Sequence, residues 1–248
     1  MIGEVQGKMT GNRMKKILIV VANPSVATTT GWPVGFWASE LTHIYKEFTD
    51  KGYEVKIASP RGGRVEVDKL SDPRDESGYS KDDKISREYL ENLEFIKILE
   101  NTPKISDFST ADFDAIVVVG GQSPMFTFKE ETGLQKKFKE FYDSGRVSAA
   151  LCHGTSLLLY IKNNKGGPLV KGKKMTGFSS EEEDFVDRTV GQKVMPFRIE
   201  DEAKKQGANF VKSDPFMPFA VRDGNLITGQ QQNSGKVTAE LVIRALEE

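Results

Sequence analysis

The first unbroken apolar run is Ile17–Leu18–Ile19–Val20–Val21–Ala22, rich in β-branched residues. A run without polar alternation reads as a strand buried on both faces, the habit of parallel sheets. A loop covers 23–31. The spacing then predicts a helix from about Pro33 to Lys51, with Pro33 in the first turn and Gly52 as the stop. Tyr53 to Ala58 alternates like a second strand, which makes the opening a βαβ unit. Residues 59–81 carry Pro60, Gly62, Gly63, Pro73 and many charges, and read as a long irregular insertion with a short Val65–Val67 strand. Ile85, Tyr89, Leu93, Ile96 and Leu99 keep helical spacing over 82–100. A third buried strand, Ala115 to Val119, closes on Gly120–Gly121. An amphipathic helix over Glu130 to Ser144, a fourth strand over Val147 to Leu151 and a helix over Thr155 to Lys162 follow. Asn209–Phe210–Val211 is a short strand. Phe219–Val221 and Leu226–Thr228 flank a turn at 222–225 as a hairpin, and Lys236 to Glu247 is the closing helix. This alternation predicts a doubly wound, mostly parallel α/β sheet with helices on both faces and added insertions. Ligands of such folds bind at the carboxyl ends of strands, which directs attention to the residues after strands one, three and four.

The chain has 248 residues, enough for one sizeable domain, read here as 15–248 after a polar, frayed leader at 1–14. The leader has no apolar stretch of the signal-peptide kind, and no run approaches the roughly 20 residues that span a bilayer. With 35 Lys+Arg against 36 Asp+Glu, the net charge of -1 gives no reason to expect a nucleic-acid or membrane partner. The single Cys excludes an internal disulfide and any multi-cysteine metal site, and fits a reducing, cytoplasmic setting.

The strongest chemical signal is Ala150–Leu151–Cys152–His153–Gly154, where a buried strand ends on Cys152 and a helix begins at once. That is the layout of a nucleophile elbow, and the positive end of the helix favours a thiolate. A lone Cys in other contexts is more often an inert buried thiol; the small neighbours, the adjacent His and the strand-to-helix switch reverse those odds. Gly120–Gly121 lies at the same sheet edge, and N–H groups there and at His153 are candidates for an oxyanion hole. His43 and His153 are the two imidazoles. His43, in the first helix, has a surface or packing role as its simpler reading. His153 needs an orienting partner, which the acidic cluster Glu181–Glu182–Glu183–Asp184 can supply, although acids also simply favour a helix start. No His follows His153, which argues against a glutamine amidotransferase or papain-like triad. HExxH, a Walker loop and GxGxxG after the first strand are all missing, so zinc-protease, NTPase and dinucleotide readings have no support.

Several blocks in order carry a resemblance. They are Lys16–Val20, Gly35–Phe36–Trp37–Ala38–Ser39–Glu40–Leu41, Ala58–Ser59–Pro60–Arg61–Gly62–Gly63 and Val119–Gly120–Gly121. The series continues with Ala150–Gly154, Thr176–Gly177–Phe178 with its acidic tail, and Leu226–Ile227–Thr228–Gly229–Gln230. From about Lys15 to Leu246 the chain resembles the ThiJ/PfpI superfamily, and within it the heat-shock chaperone/glyoxalase III branch. The resemblance implies a flavodoxin-like fold, a homodimer and a site without cofactor or metal. It implies Cys152 as nucleophile, Glu40 as the proton-moving carboxyl beside it, and His153 as the histidine of a Cys-His-acid arrangement. Glu183, seven residues after Thr176, best matches the acid that orients His153, with Glu182 next. Gly121 and His153 match the oxyanion donors, with Gly120 beside them. Two positions depart from the pattern. Gln122 stands where relatives often have His, and Gln230–Gln231–Gln232–Asn233–Ser234 replaces a Gln-Asn-Pro run.

The activity this implies is cofactor-independent conversion of methylglyoxal, or a similar small dicarbonyl, to lactate through a Cys152 hemithioacetal. Two alternatives stay open. One is a stress-induced holding chaperone for unfolded proteins, with Phe216–Phe219 and Pro124–Phe126 as apolar patches, for which core packing is the simpler reading. The other is a cysteine amidohydrolase or protein deglycase using the same thiol.

Overall fold

The structure is a computed structural model, and it describes residues 13–248. The leader expected at 1–14 therefore lies almost wholly outside the described residues; Arg13 is held by an ion pair to Asp114.

The strands are β1 (Lys16–Val20), β2 (Ser25–Val26), β3 (Pro33–Val34), β4 (Glu54–Ala58), β5 (Ala115–Val118), β6 (Val147–Leu151), β7 (Lys174–Met175), β8 (Asn209–Phe210), β9 (Ala220–Asp223) and β10 (Leu226–Gly229). Six of them form the main sheet in the order β4-β1-β5-β6-β10-β9. All neighbours in it are parallel except the β9–β10 hairpin. Every residue of β5 and β6 is buried, so both faces of the central sheet are covered, as their uninterrupted apolar sequence required.

The helices are α1 (Ala38–Asp50), α2 (Lys84–Glu91), α3 (Leu93–Glu100), α4 (Pro124–Thr127), α5 (Thr132–Asp143), α6 (Ser180–Val190), α7 (Ile199–Lys205) and α8 (Gly235–Glu247). Helices α1 and α8 pack on each other, α8 lies against β6 and β10, and α5 lies on β5 and β6. The α1 face carrying Leu41, Ile44 and Phe48 is fully buried.

Several local expectations change. Pro33 does not open the first helix: it sits in β3, paired with β2, and α1 starts at Ala38. The helix expected over 82–100 breaks at Asn92, whose side chain accepts hydrogen bonds from the Glu94 and Phe95 N–H groups and so caps α3. The Val65–Val67 strand is reduced to a bridge between Phe36 and Val67. The segment after β6 is a 3₁₀ helix from Cys152 to Tyr160 rather than an α-helix over 155–162. Helix α6 was foreshadowed only as a helix start at its acids, and α7 by nothing in the pattern. Both belong to a cap over the sheet edge.

Candidate active site

Cys152 is the residue where β6 turns into the 3₁₀ helix. Its φ is 54°, a left-handed conformation that non-glycine residues rarely adopt and that nucleophile elbows use. The Thr155 hydroxyl donates to the Cys152 carbonyl at 2.7 Å and ties the turn down. The thiolate expected from the helix end is not favoured: the thiol is buried, and burial together with the Glu40 charge pushes its pKa well up. The His153 N–H directed at the sulfur opposes that shift.

Glu40 reaches this point from the first turn of α1 and has no solvent exposure. One of its oxygens, Oε2, accepts a 2.6 Å hydrogen bond from the Gly120 N–H. The other, Oε1, is buried without a hydrogen-bond donor, and the carboxyl as a whole neighbours the Cys152 thiol. Burial raises the Glu40 pKa to about 7, against the opposing pull of the Cys152 and Gly120 contacts. Glu40 and Cys152 thus form a buried pair of acids in which a single negative charge is tolerated better than two.

His153 bridges to the third group. Its Nδ1 lies 3.7 Å from Cys152 Sγ, and its Nε2 lies 2.8 Å from Glu183 Oε1. The ring stacks on Phe178 with centroids 4.3 Å apart. Burial alone disfavours the imidazolium, but the Glu183 charge and hydrogen bond outweigh it, and the pKa of His153 is raised. Of the acids in the cluster, Glu183 is the one that meets His153. Glu182 is spent on the fold: it closes the Ser179 capping box and accepts from the Phe216 N–H and the Gln230 amide. Glu181 pairs with Lys212 near the surface. Arg198 binds Asp184 and Asp187 and stands 3.8 Å from the second oxygen of Glu183.

The two glycines take different parts. A Cβ on Gly120 would come within 2.7 Å of Glu40 Oε2 and 2.9 Å of the His153 nitrogen, so no side chain fits. Its N–H is committed to Glu40 and its carbonyl accepts from Trp37, which removes Gly120 from the expected oxyanion donors. Gly121, with φ of 103°, and His153 remain as the backbone groups at this edge. His43 stays away from the thiol and pairs with Asp83 at 2.9 Å.

Asp68 escaped the sequence reading, because it lies in the charged insertion among many acids. It is 1% exposed, and burial raises its pKa to about 7 against hydrogen bonds that pull it down. Oδ1 accepts from the Gly35 N–H at 2.8 Å and Oδ2 from the Gln122 N–H at 2.6 Å. One carboxyl therefore ties the approach to α1, which carries Glu40, to the turn that carries Gly121.

A cavity of about 150 Å³ opens on Cys152 and His153. Its walls include Trp37, Gln122, Phe178, Met195 and Phe216. Trp37 and Phe178 lie in two of the sequence blocks, whereas nothing in the pattern marked Met195. Of the apolar patches considered for a chaperone, Pro124 and Met125 are buried and Phe216 lines this cavity, while Met217 is exposed. Among the described residues no cluster of three or more His, Cys, Asp or Glu is placed to hold a metal ion. No described helix is long and apolar enough to cross a membrane.

An elbow cysteine with a buried glutamate at one side and a His–Glu pair at the other, on a parallel sheet edge, defines a class of cysteine-centred α/β proteins. The chain belongs to the DJ-1/PfpI family, whose model matches residues 32–244. Among its relatives is glyoxalase 3 of Candida albicans, 32% identical over 94% of this chain and 99% of that protein. The glutathione-independent glyoxalase of Saccharomyces cerevisiae is 30% identical over 94% of this chain and 98% of its own length. The crystal structure of glyoxalase III from Candida albicans superposes with a TM-score of 0.78 at 30% identity, covering 94% of this chain and 97% of that one. The flavodoxin-like, mostly parallel architecture expected from the sequence is the one observed.

Proposed function

We propose that this protein is a glutathione-independent glyoxalase that converts methylglyoxal to lactate with Cys152 as nucleophile. The observation that carries the reading is the contact of one buried thiol with two proton-moving groups, Glu40 and the His153–Glu183 pair. Relatives named as glyoxalase 3 and as a glutathione-independent glyoxalase, each similar over 94% of this chain, support it.

The chemistry needs no oxidant. Sulfur adds to the aldehyde carbon while Glu40, poised near neutrality, takes the thiol proton. The N–H groups of Gly121 and His153 hold the oxyanion, and the His153 imidazole, whose pKa the Glu183 carboxylate raises, supplies its proton. The hydrogen on that carbon then leaves as a proton to the Glu40–His153 pair. Protonation of the neighbouring carbon and its oxygen, with the hydroxyl proton on the sulfur-bearing carbon given back to His153, leaves a carbonyl there and so a lactoyl thioester on Cys152. Water adds, the carbon–sulfur bond breaks, and lactate leaves with the thiol restored. The sum is one methylglyoxal plus one water to one lactate.

The test is purified protein with methylglyoxal, without glutathione and with a chelator present. Lactate should appear in step with methylglyoxal consumption. A folded protein that yields no lactate under these conditions would sink the reading.

A further inference from the structure

The chemistry at Cys152 needs little space, yet the surroundings are built for something larger and less polar than a methyl group. Of the ten large apolar side chains that are well exposed among the described residues, five border the one cavity on Cys152: Trp32, Leu70, Tyr79, Phe185 and Val190. An exposed apolar ring of this kind marks a binding site more often than chance. It continues inward without a break. Phe185 packs edge-on against Phe216 at 5.3 Å, Phe216 against Phe178 at 6.4 Å, and Phe178 stacks on the His153 ring. Met195, on the same wall, is buried and can adapt to the shape of a guest.

The volume points the same way. Apolar protein cavities of about 150 Å³ stay dry and take up guests the size of benzene. This cavity has that size and an apolar wall, and it ends on the nucleophile. Gln122, His153, Glu183 and Gln232 are among its polar lining residues, and the Gln122 amide can donate to the ketone oxygen of a bound dicarbonyl. From these features we infer that the preferred substrates are 2-oxoaldehydes bearing a hydrophobic alkyl or aryl group, with methylglyoxal the smallest and weakest bound of the series. This rests on the glyoxalase reading and narrows it.

The reacting atoms do not change. Sulfur joins the aldehyde carbon, the hydrogen there moves as a proton to the adjacent carbon, and water releases the 2-hydroxy acid. Phenylglyoxal gives mandelate, and 2-oxohexanal gives 2-hydroxyhexanoate.

The test is the initial-rate kcat/KM for methylglyoxal, 2-oxohexanal and phenylglyoxal, with the hydroxy acid product measured directly. Each further buried methylene is worth a factor of about four. With incomplete burial, 2-oxohexanal should exceed methylglyoxal by about tenfold or more, the gain falling in KM. Phe185→Ala, at the rim, and Met195→Ala, at the wall, should each reduce that ratio severalfold. Turnover of methylglyoxal with a ratio at or below one would overturn the inference while leaving the glyoxalase reading intact. Failure of folded protein to turn over any of the three would remove both.

Discussion

The edge of the sheet and the cap above it do different work. At the edge, β1, β5 and β6 are almost wholly buried, and their carboxyl ends present Gly121 and Cys152 with the backbone as the positioning device. In the cap, residues 174–217, with Trp32 and residues 68–79, contribute short strands, short helices and side chains, several of them aromatic and exposed. The edge holds the reacting sulfur and Glu40. The cap brings Glu183 to His153 and supplies the cavity wall. The nucleophile is thus fixed by sheet packing, while its proton relay and its substrate preference are set by an element that can vary independently.

The comparison breaks first at the edge. Cys152→Ala should lower kcat/KM for methylglyoxal by on the order of 10⁴–10⁶-fold, as loss of a nucleophile does elsewhere. Lactate assays alongside thermal unfolding separate that loss from misfolding. Glu40→Gln keeps the acceptor for the Gly120 N–H but cannot take a proton, and should cost about 10²–10⁴-fold in kcat with the fold retained.

The cap is the next target. Glu183→Gln should cost about 10²-fold, at the low end of general acid–base contributions. Without the carboxylate that raises it, the His153 pKa falls, so the pH limb set by His153 should move to lower pH. An unmoved limb would mean that Glu183 only packs. Asp68→Asn places an amide donor against one of the two N–H groups that the carboxyl now satisfies. A stability loss of about 1–3 kcal/mol is expected in urea unfolding, together with a lower kcat.

A further effect, on stability rather than on rate, is its dependence on pH. Burial raises the folded-state pKa of Glu40 from the ordinary 4.5 to about 7. Its contribution is therefore fully present below about 4.5 and is lost as pH rises toward 7, because the folded state keeps a proton that the unfolded state has released. Glu40→Gln should thus gain on the wild type across that window by on the order of 3 kcal/mol. Parallel pH profiles of the two proteins would contradict the raised value.

The same division explains what the sequence revealed. Strands such as Ala115–Val118 and Val147–Leu151 are buried on both faces, so their pattern is all apolar and easily read. Cys152 stood out because it ends such a strand beside small residues. Glu40, by contrast, reads as an ordinary acid on a helix, and only the ordered sequence blocks drew attention to it. Its burial comes from α8, α2 and β4 packing on α1 and from the turn at Gly120, contacts remote along the chain. Gly120 illustrates the opposite failure. It looked like an oxyanion donor by position, but its N–H was already taken by Glu40. The cap was least legible, since β7 and β8 have two residues each and α7 has seven, too few for a period to emerge. Asp68 was hidden among exposed acids, and only the Gly35 and Gln122 N–H groups reveal its place.

The central claim is covalent chemistry at Cys152, and rapid acid quench with peptide mass mapping tests it most directly. Methylglyoxal mixed with the protein should leave one substrate-mass adduct on the Cys152 peptide, forming before lactate and decaying as lactate accumulates. Lactate production with Cys152 unmodified, or at the wild-type rate in Cys152→Ala, would contradict the account.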